Sequence, residues 1–297
     1  MTLLKQGDSQ ALDQQGPVTP PPANPVQAPA VMILGGVGTG KSHCLVTAAK
    51  AGLDVFVIVT EPTGTDTLID AFESAGVIGK LHYHQVTPSR KGFDDMLKQA
   101  KVLSLGDQEL LSKQKPSGDR TKAKWFDLLS AMSNFVDQRG EVFGPIDTLD
   151  DNALFCIDSL SGLNLMSMDI TIGDKLTANP GEWGIAMNNL ERLILKMTSD
   201  CKCFTVLTAH IDKEVDPISG AQKIMAGALG AKLAPKLPRF FSEVVHAVRD
   251  GDKFYWSTTT INFDLKKRSL PLSDKLAPDF KPIIEAYRKR KAAATST

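Results

Sequence analysis

Residues 30–42 read "AVMILGGVGTGKS": five apolar residues run into a loop of four glycines that closes on Lys41 and Ser42. Gly35, Gly40, Lys41 and Ser42 satisfy the pattern G-x-x-x-x-G-K-[ST], with an apolar strand before it and a helical segment after it, the setting that the pattern requires. The glycines let the backbone wrap an anion without Cβ clashes, so successive N–H groups and the positive end of the following helix face it. Candidate nucleotide-binding residues are therefore Gly35, Gly36, Val37, Gly38, Thr39, Gly40, Lys41, Ser42 and His43. Lys41 is placed to reach β- and γ-phosphates, and Ser42 to give a hydroxyl to Mg²⁺. ATP and Mg²⁺ are the ligands this cradle implies.

Outward from that loop, short apolar runs alternate with helix-like segments, the texture of parallel strands buried on both faces and joined by crossover helices. We expect strands at 30–34, 55–60, 81–86, 153–158, 203–210, 243–249 and 253–259, and helices at 41–52, 64–76, 92–104, 122–138, 184–199 and 275–289. The last two strands, joined by "DGD", read as a hairpin closing the sheet. The fold class is thus α/β, a mostly parallel twisted sheet with flanking helices and a C-terminal antiparallel hairpin. Residues 105–121 read as a polar surface excursion and 211–238 as a long, mobile Gly/Ala/Lys connection. Residues 1–29, rich in Pro, Gln and Ala, read as a flexible tail, either a leader or a partner-binding arm. Residues 30–288 form the expected domain, and 289–297 a basic flexible end.

Bulk properties narrow the class. The chain has 297 residues, 42% of them hydrophobic, with 34 Lys+Arg against 34 Asp+Glu, so attraction to nucleic acid needs a local patch. Cys44, Cys156, Cys201 and Cys203 have no metal-ligand spacing, which fits a reducing compartment. No apolar run approaches the roughly 18 residues of a membrane span, and the start lacks a secretory pattern, so the expectation is a cytoplasmic protein without membrane contact.

A triphosphate site also needs a carboxylate near the metal. "ALFCIDSLSGL" ends an apolar strand in Asp158, at the edge where ligands sit in α/β sheets; a helix-capping role is the alternative. "VFVIVTEPTGTD" ends a strand in Glu61, positioned to polarise an attacking water or else a solvated loop residue. "FTVLTAHIDKE" ends a strand in His210, a candidate sensor of the terminal phosphate, against the alternative of a core histidine.

Taken in order, these residues resemble a RecA-like ATPase core. In that family the loop is followed by a strand ending in the catalytic glutamate, then by an Asp-Ser metal strand, then by a strand ending in a polar sensor from which a DNA-binding loop departs. The resemblance is nearest to the RecA-like ATPases of bacteriophages that act in single-strand annealing or recombination, where the sensor strand often ends in Ala-His and a late Lys-x-Arg follows the final hairpin. It covers roughly residues 30–286 and implies a RecA-like P-loop core. In "LKKRSLPL", Lys266 and Arg268 have the Lys-x-Arg spacing and by resemblance would act in trans on a neighbouring subunit's nucleotide, the alternative being a surface basic cluster. Glu61, Lys41, His210, Lys266 and Arg268 are then the catalytic set, and Ser42 with Asp158 the metal set. Two features depart from RecA: the sensor is His rather than Gln, and RecA's N-terminal polymerisation element and C-terminal domain have no counterpart.

The implied partners are single-stranded DNA, further copies of the chain with ATP between them, and a single-strand-binding or replication protein; the implied place is the cytoplasm of a bacterial host. Lys213, Lys223, Lys232 and Lys236 in 211–238 are the candidate DNA contacts, although acidic residues accompany them and no aromatic does. The leading expectation is a DNA-dependent recombination or annealing ATPase. Alternatives are a hexameric replication motor or helicase loader, and a nucleotide-gated protein-binding module that uses no DNA.

Overall fold

The computed structural model describes residues 26–104, 119–173, 175, 177–215, 222–230 and 232–296. The apolar runs form β1 (Ala30–Gly35), β2 (Asp54–Val59), β3 (Leu81–Gln85), β6 (Ala153–Asp158), β7 (Phe204–Ala209), β10 (Glu243–Asp250) and β11 (Lys253–Ser257). They make one sheet in the order β11-β10-β1-β7-β6-β2-β3, parallel throughout except for the β10–β11 hairpin. Gly251, at φ +63°, turns that hairpin in the left-handed region, where glycine meets no Cβ penalty.

Helices cover both faces, which is why the strands are apolar on successive residues rather than alternate ones. Met32, Leu34, Phe56, Ile58, Phe155 and Ile157 point to one core, against α4 (Asp119–Ser133), α5 (Leu160–Ile172) and α6 (Pro180–Asp200). Val31, Ile33, Val55, Val57, Leu154 and Cys156 point to the other, against α1 (Leu45–Lys50), α2 (Gly64–Ser74) and α7 (Lys281–Thr295). α3 (Phe93–Ser104) leaves Phe93 exposed. α6 starts on a capping box between Asn179 and Glu182 with Pro180 in its first turn, so its orphan amides are satisfied locally. All four thiols are free and buried. Among the described residues, no helix is long and apolar enough to cross a membrane.

Several expectations are corrected. The segment after the glycine-rich loop is regular α-helix only over Leu45–Lys50; residues 41–44 wind as turns in which Leu45 N, Val46 N and Thr47 N bond three residues back. α5, packed between α4 and α6, escaped the sequence reading because its polar residues, Ser161, Asn164, Ser167, Asp169 and Thr171, are scattered around it and leave no polar face to mark its period. Residues 211–238 are not one mobile connection: β8 (Ile211–Val215) and β9 (Gln222–Ala226) form a hairpin, a 3₁₀ helix follows at Ala234–Phe240, and Leu229, Leu233 and Leu237 are buried. The helix expected to end at 289 runs to Thr295, held where Lys291 Nζ meets Asp151 Oδ2 at 2.6 Å, so most of the expected flexible end is helical. Of the expected tail, residues 26–29 pack: Ala28 is buried and Gln27 donates to the carbonyls of Thr198 and Ser199. Residues 1–25 and 105–118 lie outside the described residues.

Residues 119–150, for which the sequence offered a helix at 122–138 but no role, cap the β3 end of the sheet, and the helix stops at Ser133 where a strand begins at Phe135. α4 leads into β4 (Phe135–Val136) and β5 (Val142–Gly144), whose Phe135 and Phe143 meet Phe56 edge-on. Asp137 anchors this hairpin to His82 at 3.0 Å and to Arg139. Burial raises its carboxyl, but bonds from His82 and from the amides and side chain around it prevail and hold it at about 2.

α5 approaches β2 closely because Gly162 lacks a side chain: a Cβ there would lie 2.4 Å from both Cβ and Oγ1 of Thr60. Gly162→Ala improves helix propensity by about 1 kcal/mol but overpacks this contact by up to about 3 kcal/mol, so a net loss of about 2 kcal/mol is expected. Urea unfolding measures it; an unchanged midpoint would show that α5 is free to move outward.

Candidate functional site

The glycine-rich loop joins β1 to α1 at the carboxyl edge of the sheet. Gly38 (φ +69°) and Gly40 (φ +79°) occupy the left-handed region, and a Cβ on Gly35 would sit 2.6 Å from the Ala247 carbonyl, so the loop needs glycine for conformation at its tip and for closeness at its root. Thr39 Oγ1 donates to Gly36 O at 2.9 Å and closes the turn. Lys41 is buried, its Nζ donating to Gly35 O at 3.1 Å and Gly36 O at 2.7 Å; burial lowers its pKa, against the pull of Asp158 and Glu61. Its ammonium therefore lies folded under the loop, held by two carbonyls that an anion can replace.

β6 delivers Asp158 to the same edge. β7 lies between β6 and β1, and its buried Thr208 hydroxyl donates to Asp158 Oδ1 while the Ser42 hydroxyl donates to the same carboxylate from the loop. Burial raises the Asp158 carboxyl above its ordinary range; the two hydroxyls and Lys41 pull it back only in part, and Glu61 adds to the rise. A serine hydroxyl and a buried carboxylate in contact make an all-oxygen pair, the donor type that suits Mg²⁺.

Beyond β6, β2 brings Glu61 alongside. Ser159 Oγ donates to Glu61 Oε1 at 2.5 Å, and His210 Nε2 lies 3.3 Å from the same oxygen. Ser159 is set by Thr60: its N–H donates to Thr60 Oγ1, and that hydroxyl donates to the Ser159 carbonyl, both at 2.8 Å. Glu61 and His210 keep about a third of their side chains exposed, so their outer atoms face water. A carboxylate fixed by a hydroxyl at the rim of an anion loop can orient and polarise a water molecule.

Lys41, Ser42, Glu61, Asp158 and His210 thus converge, whereas Lys266 and Arg268 do not join them. Lys266 pairs with Val244, and the Arg268 amide donates to buried Glu243 at 2.9 Å; those two residues sit level with Met32 and Val31, toward the opposite end of β1 from the loop. Both side chains are exposed. The four candidate DNA lysines divide. Lys223 is paired with Asp264 and Lys236 with Glu191, both at 3.1 Å, while Lys213 and Lys232 are exposed. Sequence reasoning gave no role to Thr208, Ser159 or Thr60; a Thr inside the apolar run "FTVLTA" and the Ser of the Asp-Ser pair were the signals it had. No protein-family model matches the chain, and no curated protein matches it.

Proposed function

We propose that the chain is a Mg²⁺-dependent ATPase with a RecA-like P-loop core, working as an oligomer on single-stranded DNA in phage-type recombination or annealing. One observation carries the reading: the hydroxyl of Ser42 in the glycine-rich loop meets the buried Asp158 carboxylate, and Glu61, braced by Ser159, lies beside His210 at the same edge. Gly35 to Ser42 hold the phosphates through backbone amides and the Lys41 ammonium. Ser42 and Asp158 would hold Mg²⁺, which would supply positive charge that offsets the negative charge of the phosphate oxygens. Glu61 orients the attacking water and draws on its proton, while Ser159 keeps the accepting oxygen in place. His210 touches Glu61 and leads directly into β8, so a change at the terminal phosphate reaches the β8–β9 hairpin through one residue.

The remoteness of Lys266 and Arg268 from their own loop supports a role toward a neighbouring subunit. Lys213 and Lys232, exposed on and after the hairpin, are the better DNA contacts. Lys223 and Lys236, neutralised by Asp264 and Glu191, favour a second reading, a nucleotide-gated protein-binding module that uses no DNA.

ATP turnover and gel-filtration size, each measured with and without single-stranded DNA, separate the two. The ATPase reading on DNA expects the strand to stimulate turnover and to shift the protein to larger species, with binding that weakens steeply as salt rises. Turnover and size indifferent to the strand leave the gated module.

A further inference from the structure

On the far side of the loop from Asp158 and Glu61, the β10–β11 hairpin places an aromatic ring and a guanidinium that the proposed chemistry does not use. Arg249 and Phe254 are cross-strand partners just beyond Ala247, the residue that pairs with Gly35. A Cβ on Gly40 would meet the Phe254 ring at 3.1 Å, and one on Gly38 would be 4.0 Å from Arg249 Nη1, so both side chains border the glycine-rich loop. Arg249 lies over the ring, 5.6 Å from guanidinium carbon to centroid, and its Nε donates to Gly251 O at 2.9 Å, which fixes it to the hairpin turn. Phe254 is 39% exposed, so part of its ring stays open beside the loop.

The sheet order gives this pair its direction. β1 lies between β10 and β7, with the metal and water residues on β6 and β2 on one side and Arg249 and Phe254 on the other. A nucleotide that lies along the glycine-rich loop with its terminal phosphate toward Asp158 and Glu61 has the β10–β11 hairpin, which borders Gly38 and Gly40, at the loop's other side. We propose that Phe254, seated by Arg249, is the platform on which the nucleoside of the bound nucleotide packs, its exposed ring surface being covered by the base. Stacking on an aromatic face reads no hydrogen-bond pattern, so the platform accepts either purine.

The inference rests on the proposed phosphate loop, and the test separates the two. Calorimetric titration of the full-length protein with ATP and with inorganic tripolyphosphate, both with Mg²⁺, compares a ligand that has a nucleoside with one that lacks it. Phe254→Ala is expected to weaken ATP by about tenfold to a hundredfold and to leave tripolyphosphate unchanged. Phe254→Leu, which keeps apolar bulk against Gly40 but offers no ring, should match the alanine variant toward ATP, and Phe254→Trp should restore affinity. The platform is overturned if Phe254→Ala leaves ATP affinity intact or weakens tripolyphosphate equally, or if the wild type binds both ligands with equal affinity. If the wild type binds neither, the phosphate loop itself is wrong and the platform goes with it.

Discussion

Glu61→Gln lowers ATP turnover by about 10²–10⁴-fold and leaves ATP affinity near that of the wild type. Glutamine keeps the carbonyl oxygen that accepts from Ser159, so the side chain stays in place. It lacks the charge needed to polarise water. The loop amides, Lys41, Ser42 and Asp158 are untouched, so binding persists. Steady-state hydrolysis measured beside equilibrium ATP binding checks this, and a variant that turns over normally would remove Glu61 from the mechanism. A variant that loses binding as well would make it a ligand of the nucleotide. Ser159→Ala should give a smaller turnover loss in the same direction, since it frees the carboxylate without removing it.

Asp158→Asn should abolish Mg²⁺-dependent strengthening of ATP binding while leaving the nucleotide-free protein as stable as the wild type or more so. The reason is the cost of holding a charge among Thr208, Cys156 and the loop. Burial lifts the Asp158 carboxyl above its unfolded value, so its contribution to stability is present at low pH and lost as pH rises through the folded value. At neutral pH the ionised group is therefore a burden on the unliganded fold. Asparagine presents one oxygen to the Ser42 and Thr208 hydroxyls without that charge, and it lacks the anionic oxygen a metal needs. Thermal melts in EDTA and calorimetric titration with ATP, with and without Mg²⁺, read the two effects separately. A melting temperature that falls sharply in the variant would mean that the Ser42–Asp158 contact serves the fold rather than a metal.

Both predictions concern residues legible as single letters at strand ends. Asp158 follows an unbroken apolar run, and Glu61 and His210 follow runs interrupted only by threonine; in a parallel sheet every such run delivers its C-terminal end to one edge. That is why their convergence with the loop could be expected without coordinates. Ser159, Thr60 and Thr208 could not be read in this way, because a hydroxyl carries no periodicity and its role depends on which strand lies beside it. Phe254 and Arg249 were hidden for the same reason: in the sequence they are a ring and a cation either side of a tight turn, and only the parallel pairing of β10 with β1 brings that turn to Gly38 and Gly40. The failures on 211–238 and on α5 have a different origin. Small polar and alanine-rich text reads as loop, and a helix whose polar residues are scattered around it has no polar face to betray its period.

By itself the sequence determined the strands of the main sheet, the glycine-rich turn and the edge at which Glu61, Asp158 and His210 collect, since these follow from short-range constraints: burial on both faces, Cβ sterics and the polarity of the chain. The tertiary structure alone decided the order of the strands across the sheet, and with it that Thr208 bonds Asp158, that Lys266 and Arg268 lie toward the opposite end of β1 from the loop, and that Phe254 and Arg249 border Gly40 and Gly38. Strand order depends on how crossover helices pack over tens of residues, and no local run of letters encodes that.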